Sequence, residues 1–441
     1  MNQNAAEKIL EQLNSSMPEE GLFYEKSWRQ SPEPFFVSSK FKKSLEQLGH
    51  RLYQFNQACD LLYRLSVEGR QPTWIAELLD RGKPEALIKL GRSKVFQGET
   101  ARVIRPDLLL TAEGLKICEL DQIPGGIGLT AWLQKIYSTC GHEIIGGPGG
   151  MLEGFCSILP GGDIVVSQES EMYRPEMEYL VRRLCEQFPE KKWRLLSSNN
   201  KEKWASQVYR FFELFDLPNI SCAPELLDSA LAKEVSITPP PKPQLEEKLW
   251  FALFWMKPLE NFWIRELSQR GWEQLKKVIP YTWILNPEPL PPQAVYPRLE
   301  VQLWNEIAAW SQRERELVIK ISGFDERAWG SRSVVIGSDC SKQEWSEALT
   351  KALGEFPKHP HILQVFHHSL LHEHSYFDEE GKIVTMKGRV RLTPYYFVAN
   401  KKIHLGGALA TICPADKKLL HGMSDAILVP AAVSVHSMPS S

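Results

Sequence analysis

The chain reads Arg105-Pro-Asp-Leu-Leu-Leu-Thr-Ala-Glu-Gly-Leu-Lys-Ile-Cys-Glu-Leu-Asp121 in its most informative stretch, and then continues as Gln122-Ile-Pro-Gly-Gly-Ile-Gly128. Apolar runs stand on both sides of Thr111-Ala-Glu-Gly114, and this pattern predicts two short strands joined by a turn. We expect a three-residue loop with Gly114 in the left-handed conformation, which glycine adopts without steric cost. The stretch is therefore predicted to be a β-hairpin.

Four charged residues of this hairpin are predicted to face one another. The expected loop sets Asp107 opposite Glu119 and Arg105 opposite Asp121, and residues two apart on a strand share a face. Three carboxylates on one face repel one another, and a single arginine does not neutralise them. Mg²⁺ would supply the missing charge, because it binds carboxylate and phosphate oxygens. The alternative is an exposed hairpin face with ordinary surface charge.

Composition indicates a multi-lobed globular chain. Its 441 residues are too many for one core, so two or three lobes are expected. A formal net charge of −2 gives no electrostatic case for nucleic acid or an anionic membrane as the partner. We see no signal peptide, no apolar run long enough to span a bilayer, and eight scattered cysteines without a Cys-x-x-Cys pair. These features predict a cytoplasmic protein with reduced thiols; they leave the oligomeric state open.

The order of patterns along the chain divides it into four segments. Residues 1–100 carry apolar residues at helical spacing and are predicted to be mainly helical. Residues 101–150 contain the hairpin, and residues 151–240 alternate strand and helix patterns. Thr238-Pro-Pro-Pro-Lys-Pro243 is predicted to be a stiff linker, so a boundary is expected near residue 240. Residues 241–441 form the last segment.

Residues 151–240 are predicted to form a small parallel α/β unit. Strands are expected from Asp163 and from Trp193, with helices over Pro175–Phe188 and Lys203–Phe215. Ligands of open α/β sheets bind outside the carboxyl ends of the strands. The polar residues that follow the two strands are therefore weak substrate-site candidates, with ordinary loop starts as the alternative.

Two further stretches are compatible with anion binding. Gly141–Gly154 is rich in glycine and could bring backbone N–H groups close to an anion, or could be a plain cluster of turns. Lys320 stands within an apolar strand pattern, where a lysine is costly unless it meets an anion. The loop Gly323–Ser331 and a returning strand at Val334 follow, which is an arrangement able to cover nucleotide phosphates. A surface hairpin with an outward lysine is the competing interpretation.

The C-terminal part of the chain offers two more candidate sites. Arg389 and Arg391 are predicted to share a face of a strand, where both could contact a phosphate. Histidines are also concentrated here and could bind a transition metal, although no cysteine or ordered ligand motif accompanies them. Surface histidines are the alternative for this group: His359, His361, His367, His368, His372 and His374.

Together these runs resemble the ATP-grasp superfamily in its circularly permuted form, as found in the synthetase domain of glutathionylspermidine synthase. The resemblance depends on Arg105-x-Asp107, on Glu119-x-Asp121 twelve residues after that aspartate, and on Pro124. It also depends on Lys320 with its glycine loop, and on Leu363-Gln-Val-Phe366, which is similar to the hinge that holds adenine. The hairpin precedes the lysine and its loop, which is the permuted order.

The resemblance implies a multi-lobed α+β and α/β protein: a circularly permuted ATP-grasp fold that carries an α/β pre-ATP-grasp-like unit. It implies a ligase that phosphorylates a small-molecule carboxylate with ATP and Mg²⁺, after which an amine attacks the acyl phosphate to form an amide. The implied metal ligands are Asp107, Glu119 and Asp121. The implied catalytic arginines are Arg105 and Arg391. The implied ATP-binding residues are Lys320, Gly323, Gly330, Ser331, Gln364 and Phe366.

One departure from the family pattern has consequences for function. Asp121 stands where the family has asparagine. The extra negative charge either tightens metal binding or calls for another cation, and a member that binds ATP without ligating is the alternative function. A second ATP-binding lysine is not identified uniquely, with Lys257, Lys276 and Lys277 as candidates. We expect Asp107→Asn or Glu119→Gln to abolish Mg²⁺-dependent ATP turnover without unfolding the protein.

Overall fold

The computed structural model describes residues 3–19, 21–23, 27–328, 330, 332–420 and 424–434. Its described residues group into two compact units, each assembled from separate parts of the chain. Unit 1 draws on Met1–Gln54, Glu99–Pro240 and Ser369–Ser441, and unit 2 draws on Phe55–Gly98 and Pro241–His368. Compactness thus groups the chain differently from the four consecutive segments described above, which stay predictions.

The helices follow the apolar periodicity closely in most of the chain. Those of the described residues are α1 (Gln3–Ser16), α2 (Ser39–Val67), α3 (Trp74–Leu79), α4 (Glu85–Gly91), α5 (Ile127–Thr139), α6 (Gly150–Ile158), α7 (Arg174–Gln187), α8 (Ala223–Leu231), α9 (Leu249–Trp255), α10 (Glu260–Val278), α11 (Trp304–Ala308) and α12 (Lys342–Glu355). No helix among these residues is both long enough and apolar enough to cross a membrane.

The strands form three sheets. In chain order they are β1 (Phe35–Val37), β2 (Val103–Thr111), β3 (Gly114–Asp121), β4 (Gly162–Val166), β5 (Trp193–Ser197), β6 (Gln207–Phe211), β7 (Ser236–Thr238), β8 (Thr282–Ile284), β9 (Leu317–Ile321), β10 (Val335–Ile336), β11 (His361–Val365), β12 (Leu371–Phe377), β13 (Ile383–Ala399), β14 (Lys402–Pro414) and β15 (Ile427–Val433).

The largest sheet holds the predicted hairpin and lies in unit 1. Its strand order is β1-β15-β14-β13-β2-β3, and β12 pairs with the other part of β13. Strand β13 is a single strand of 17 residues from Ile383 to Ala399. Its length lets it pair with β12 near its start and with β2 further along. This arrangement places Arg391 opposite Leu109 of β2, beside the hairpin.

The second sheet of unit 1 is the predicted parallel α/β unit. Its order is β5-β4-β6-β7, and every neighbouring pair is parallel. The helix predicted over Lys203–Phe215 is wrong, because Gln207–Phe211 forms β6 and the next α-helix is α8. β6 lies between β4 and β7, and its residues Val208 to Phe211 are all buried. A strand whose side chains are buried on both faces lacks the alternation of polar and apolar residues, so it is easily taken for part of a buried helix.

Unit 2 is built on the antiparallel sheet β10-β9-β11-β8. Trp283, Trp304 and Trp345 pack into one buried cluster with aliphatic side chains of β9, β11 and α12. Helix α11, which carries Trp304, has only five residues. Tryptophan and aliphatic residues in this part of the chain therefore serve as a core.

The proline-rich stretch from Thr238 to Pro243 is buried throughout. Arg210 of β6, itself 2% exposed, donates to the carbonyl oxygens of Pro239 at 2.9 Å and Pro240 at 3.1 Å. Proline cannot donate a backbone hydrogen bond, but its carbonyl still needs a partner when it is buried. The buried guanidinium supplies those partners and fixes the path of the chain.

The glycine-rich stretch 141–154 serves close packing. It turns at Gly146 and then enters α6 at Gly150. A Cβ atom would lie 1.9 Å from the Gly406 carbonyl oxygen if placed on Gly146, and 2.4 Å from it if placed on Gly150. Of the two alternatives, these contacts favour turns and helix–sheet packing over anion binding.

Candidate active site

The hairpin has the predicted register at its charged residues, although its turn is shorter than predicted and its pairing shifts by one residue. Asp107 pairs with Glu119 and Arg105 pairs with Asp121, so the predicted pairing is confirmed. The turn is one residue shorter than expected, because Thr111 already pairs with Gly114. The register then shifts by one residue beside Asp107, which restores the expected alignment. Gly114 has a φ of 99°, as the turn requires.

Two arginines bind the carboxylates of this hairpin. Arg105 Nε lies 3.1 Å from Asp107 Oδ1, and Arg105 Nη2 lies 2.9 Å from Asp121 Oδ2. Arg391 Nη1 of β13 lies 2.9 Å from Asp107 Oδ2. Asp107 is 2% exposed, so it is a buried carboxylate between two guanidinium groups. We call Arg105, Asp107, Asp121 and Arg391 the arginine–carboxylate network.

The charged groups of this network shift one another's pKa values. Burial lowers the pKa of Arg105, but Asp107 and Asp121, with further help from Glu119, raise it well above its ordinary value. Burial raises the pKa of Asp121; Arg105 opposes that rise, while Glu119 and Asp107 add to it. With Glu119 included, three carboxylates face two arginines. Carboxylates thus outnumber arginines in this cluster by three to two.

The loop after the hairpin contributes residues that sequence reasoning missed. Arg105 Nη1 donates to the Gly125 carbonyl oxygen at 3.2 Å, and Tyr395 Oη donates to the same oxygen at 2.8 Å. The carboxylate of Glu176, on α7, accepts from Gly126 N at 2.7 Å. Burial raises the pKa of Tyr395 to about 12, with Arg105 opposing the rise. The only sequence signal was the Gly-Gly pair itself, which marks close packing without naming its partners.

The carboxylates of the hairpin fit the expected Mg²⁺ only if other oxygens complete its shell. Among the residues that the structure describes, no group of three or more His, Cys, Asp or Glu side chains is arranged to hold a metal ion. Both Asp107 oxygens already accept from arginine, so the protein does not offer a prebuilt three-carboxylate site. Mg²⁺ in phosphoryl-transfer sites commonly uses one or two carboxylates and completes its shell with phosphate and water. The carboxylate oxygens of Glu119 and Asp121 fit a cation of that kind, which arrives with phosphates.

In unit 2, Lys320 and Gln364 lie side by side as neighbours on paired strands. Lys320 Nζ donates to Gln364 Oε1 at 3.0 Å, and Gln364 Nε2 donates to Thr282 Oγ1 at 3.0 Å. Lys320 is 7% exposed, so the prediction of a lysine within a buried strand is confirmed. The three side chains form a polar row across β9, β11 and β8, on a sheet whose other strand residues are apolar apart from His361.

The predicted glycine loop contains one closely packed glycine and one glycine with a positive φ among its described residues. Gly323 approaches the backbone so closely that a Cβ atom there would lie 2.4 Å from the Glu246 carbonyl oxygen. Gly330 has a φ of 66°, and Ser331 lies outside the described residues. Phe366 follows β11, and its ring meets the His368 ring edge-on with centroids 4.9 Å apart.

The start of this loop is held by charged groups. Asp325 pairs with Arg327 at 2.9 Å and with His359 at 2.9 Å. Burial raises the pKa of Asp325, but the hydrogen bonds and charges of Arg327, with His359, lower it below its ordinary value. The stretch from Asp325 to Arg327 is therefore anchored.

Other candidate residues are occupied in structural roles. Arg389 donates to backbone carbonyls of Ala415 and Ser369, so only Arg391 of the predicted arginine pair joins the network. His374 contacts Ser31 Oγ at 3.1 Å. Because the described residues contain no metal-binding group of three or more His, Cys, Asp or Glu, the histidine-rich stretch gains no support as a metal site.

The polar strand ends of the α/β unit also have local partners. Ser170 N donates to Ser167 Oγ after β4, and Ser197 Oγ donates to Asn199 Oδ1 after β5. Such bonds are typical of residues that begin a loop. The alternative of ordinary loop starts describes them adequately.

Comparison with known proteins gives a structural likeness only. No family model matches the chain, and no curated protein matches it by sequence. A glutathione synthetase-like effector from Globodera pallida, solved in its apo form, superposes with a TM-score of 0.55 at 11% identity, covering 98% of each chain. A proposed gamma-glutamylcysteine synthetase from Methylobacillus flagellatus has a TM-score of 0.35 at 11% identity, covering 82% of this chain and 84% of its own.

The first likeness extends over nearly the whole of both chains and establishes a shared fold. A mixed α/β architecture with several sheets is consistent with the ATP-grasp-like fold expected from the hairpin and lysine patterns. The second superposition, at a TM-score of 0.35, is too weak to indicate a shared fold.

Proposed function

We propose that the protein is an ATP-dependent carboxylate–amine ligase with a circularly permuted ATP-grasp fold of the glutathionylspermidine synthase type. The observation that carries the proposal is the arginine–carboxylate network. Two half-buried arginines on adjacent strands are held in place by one buried aspartate. Guanidinium groups fixed in this way are suited to phosphate and carboxylate, which they bind through paired hydrogen bonds.

In this proposal, Arg105 and Arg391 stabilise the charge that grows on the transferring phosphoryl group and on the acyl phosphate. Asp107 keeps both guanidinium groups oriented, so little reorganisation is needed when the substrate binds. Arg391 Nε is buried and has no hydrogen-bond partner among the described residues. Such a donor is available to a ligand oxygen.

Glu119 and Asp121, with Asp107 behind them, would hold the Mg²⁺ of a bound ATP. When bound, that ion would neutralise phosphate charge and align the oxygens for transfer. On the protein's side, Arg105 limits the repulsion among these carboxylates. Asp121 takes the place of the family's asparagine, and its carboxylate adds a negative charge that attracts a cation more strongly than an amide does.

The residues proposed to bind the nucleotide belong to unit 2. The buried ammonium of Lys320 would bind a phosphate, and Gln364 would orient that ammonium through the hydrogen bond between them. The remaining residues proposed for ATP binding contribute backbone N–H groups or an apolar surface: Gly323, Gly330, Ser331 and Phe366. Small-molecule carboxylate and amine substrates are part of the proposal, and their identities are left open.

A second candidate is an ATP-binding protein without ligase activity. One observation favours it, since both oxygens of Asp107 are already bound to arginines. In that case the network would be a fixed structural element rather than a reaction centre.

Phosphate release separates the two candidates. The purified protein would be mixed with Mg·ATP and a panel of acids and amines, with calorimetry of Mg·ATP binding alongside. We expect amide formation with stoichiometric ADP and phosphate, and a loss of about 100-fold or more in turnover for Glu119→Gln. Glu113→Gln, which removes an exposed carboxylate from the same hairpin, is the control and should leave turnover unchanged. Binding without turnover on every pair would favour the second candidate.

A further inference from the structure

We propose that Glu176 is a positioning residue for Arg105, acting through the single peptide unit between Gly125 and Gly126. This inference extends the proposed function, because it assigns a role in the same site to a residue of the α/β unit. Glu176 is 0% exposed and stands in the first turn of α7.

The geometry links Glu176 to Arg105 in two steps. Glu176 Oε1 accepts from Gly126 N at 2.7 Å, and the other oxygen accepts from Leu129 N at 3.2 Å. The Gly125 carbonyl oxygen belongs to the same peptide unit as Gly126 N, and it accepts from Arg105 Nη1 at 3.2 Å. Because the peptide bond is planar, holding its N–H fixes the direction of its C=O. A carboxylate on the N–H also polarises the carbonyl and strengthens it as an acceptor for a cation.

The surrounding glycines allow this contact to form. A Cβ atom on Gly125 would lie 2.4 Å from the Tyr173 ring, and one on Gly126 would lie 2.5 Å from Tyr395 Oη. A Cβ atom on Gly128 would lie 2.2 Å from the carbonyl oxygen of Glu176 itself. The Gly-Gly-Ile-Gly sequence thus brings α7 and the start of α5 to within backbone contact. The side chain of Glu176 takes the place of an N-cap for α5, since Gly126 has no side chain to serve as one.

Charge makes the contact sensitive to pH. Burial raises the pKa of Glu176 to about 7, although the N–H groups of Gly126 and Leu129, together with Arg105, lower it. Arg105, Tyr173, Tyr209 and Tyr395 interact electrostatically with it, and all four have raised pKa values. None of these four therefore changes its charge near pH 7. Above pH 7 the ionised carboxylate polarises the peptide unit; below it, protonation removes that effect.

As pH rises towards 7, ionisation of Glu176 improves the positioning of Arg105 but lowers the stability of the protein. The pKa of Glu176 rises from an ordinary 4.5 in the unfolded chain to about 7 in the folded protein. The folded state therefore binds the proton more tightly, and stability falls as pH rises from about 4.5 to about 7. Glu176→Gln, which carries no charge, should lose this decrease. The pH range in which Glu176 positions Arg105 best is thus the range in which its burial costs the most.

The test compares the wild-type protein with Glu176→Gln and with Glu178→Gln, an exposed residue on the same helix. We expect wild-type turnover to fall below pH 7, with the same fall in Glu178→Gln and none in Glu176→Gln. The turnover number of Glu176→Gln should drop about 10- to 100-fold, with the KM for ATP changed little, because a displaced arginine affects the transition state most. The inference would be overturned if the turnover number of Glu178→Gln dropped as far as that of Glu176→Gln. It would also be overturned if the turnover of Glu176→Gln still fell below pH 7.

A second readout does not depend on turnover. The side-chain Nε–H resonance of Arg105, assigned by its loss in Arg105→Lys, would be followed by NMR as pH is varied in each protein. We expect it to shift with a midpoint near 7 in the wild type and in Glu178→Gln, but to stay constant in Glu176→Gln. A wild type that shows this shift without turning over ATP would refute the proposed function and leave the inference standing. If the wild type turns over ATP but its Arg105 resonance does not shift near pH 7, the inference alone is refuted. If Glu176→Gln does not fold, the titration of the wild type still decides.

Discussion

Asp107 contributes both to the stability of the protein and to the proposed chemistry of the site. Its carboxylate binds Arg105 on one side and Arg391 on the other, and it is 2% exposed. Removing one partner of a buried ion pair leaves an uncompensated charge and costs about 3–5 kcal/mol. A substitution at this position therefore tests stability and chemistry at once, contrary to the expectation drawn from sequence alone.

Asp107→Asn should accordingly destabilise the protein by about 3 kcal/mol or more, because two guanidinium groups lose their common counter-charge. Glu119→Gln, at a partly exposed position, should change the unfolding free energy by less than about 1 kcal/mol. Chemical denaturation of the two variants and the wild type would measure the difference. Equal stability of Asp107→Asn and the wild type would show that the arginines do not depend on Asp107.

At the site, contacts between residues close together in the sequence were predictable, and contacts between residues far apart in the sequence were not. The pairing of Arg105 with Asp121 and of Asp107 with Glu119 follows from local arithmetic on a hairpin. Arg391 was predicted to contact a phosphate, but nothing in the local sequence shows that it bonds to Asp107. Glu176 was missed because its contact depends on how closely α7 packs against α5, which three glycines decide.

Among the elements, the loop between β3 and α5 is more constrained than the turn of the hairpin. Gly114 and Gly126 both have positive φ, at 99° and 86°. A Cβ atom on Gly114 would meet nothing within 4 Å, whereas one on Gly126 would lie 2.5 Å from Tyr395 Oη. The two glycines thus separate the cost of backbone conformation from the cost of a steric clash.

We expect Gly114→Ala to destabilise the protein by about 1–2 kcal/mol, through backbone strain alone. Gly126→Ala should cost at least about 1–3 kcal/mol more, because Tyr395 must move and its hydrogen bond to Gly125 is lost. Thermal unfolding of both variants under one condition measures the difference. Equal melting temperatures would contradict the close contact at Gly126.

Strand β6 shows why one element was assigned wrongly. Its sequence Gln-Val-Tyr-Arg-Phe contains no alternation of polar and apolar residues, because the strand is buried between β4 and β7. Periodicity alone cannot separate such a strand from a buried helix. The β-branched and aromatic composition was the available clue, and it favours a strand.

At the scale of the whole molecule, unit 2 depends on two separate parts of the chain. Lys242 pairs with Asp60 at 2.7 Å, and both side chains are 2% exposed. Lys83 and Glu247 form a second buried ion pair, and the ring of Phe55 packs against Trp263 with centroids 5.6 Å apart. Residues 55–98 thus supply charges and core that residues 241–368 need.

Residues 241–368 expressed alone should therefore fail to unfold cooperatively. Two broken buried pairs cost about 6–10 kcal/mol, which is comparable to the whole stability of a typical domain. Adding residues 55–98 through a flexible linker should restore a cooperative transition, which circular dichroism during heating would detect. A cooperative transition in the short fragment would show that its tryptophan-rich core suffices.

The shift in register beside Asp107 has a consequence for engineering the hairpin. A two-residue turn combined with one extra residue in β3 gives the same alignment as a three-residue turn between regular strands. The same sequence paired through its two-residue turn without the shift would set Asp107 opposite Cys118 and point Glu119 and Asp121 away from Arg105. A design that transfers this sequence to another sheet must therefore keep the short turn and the shift together.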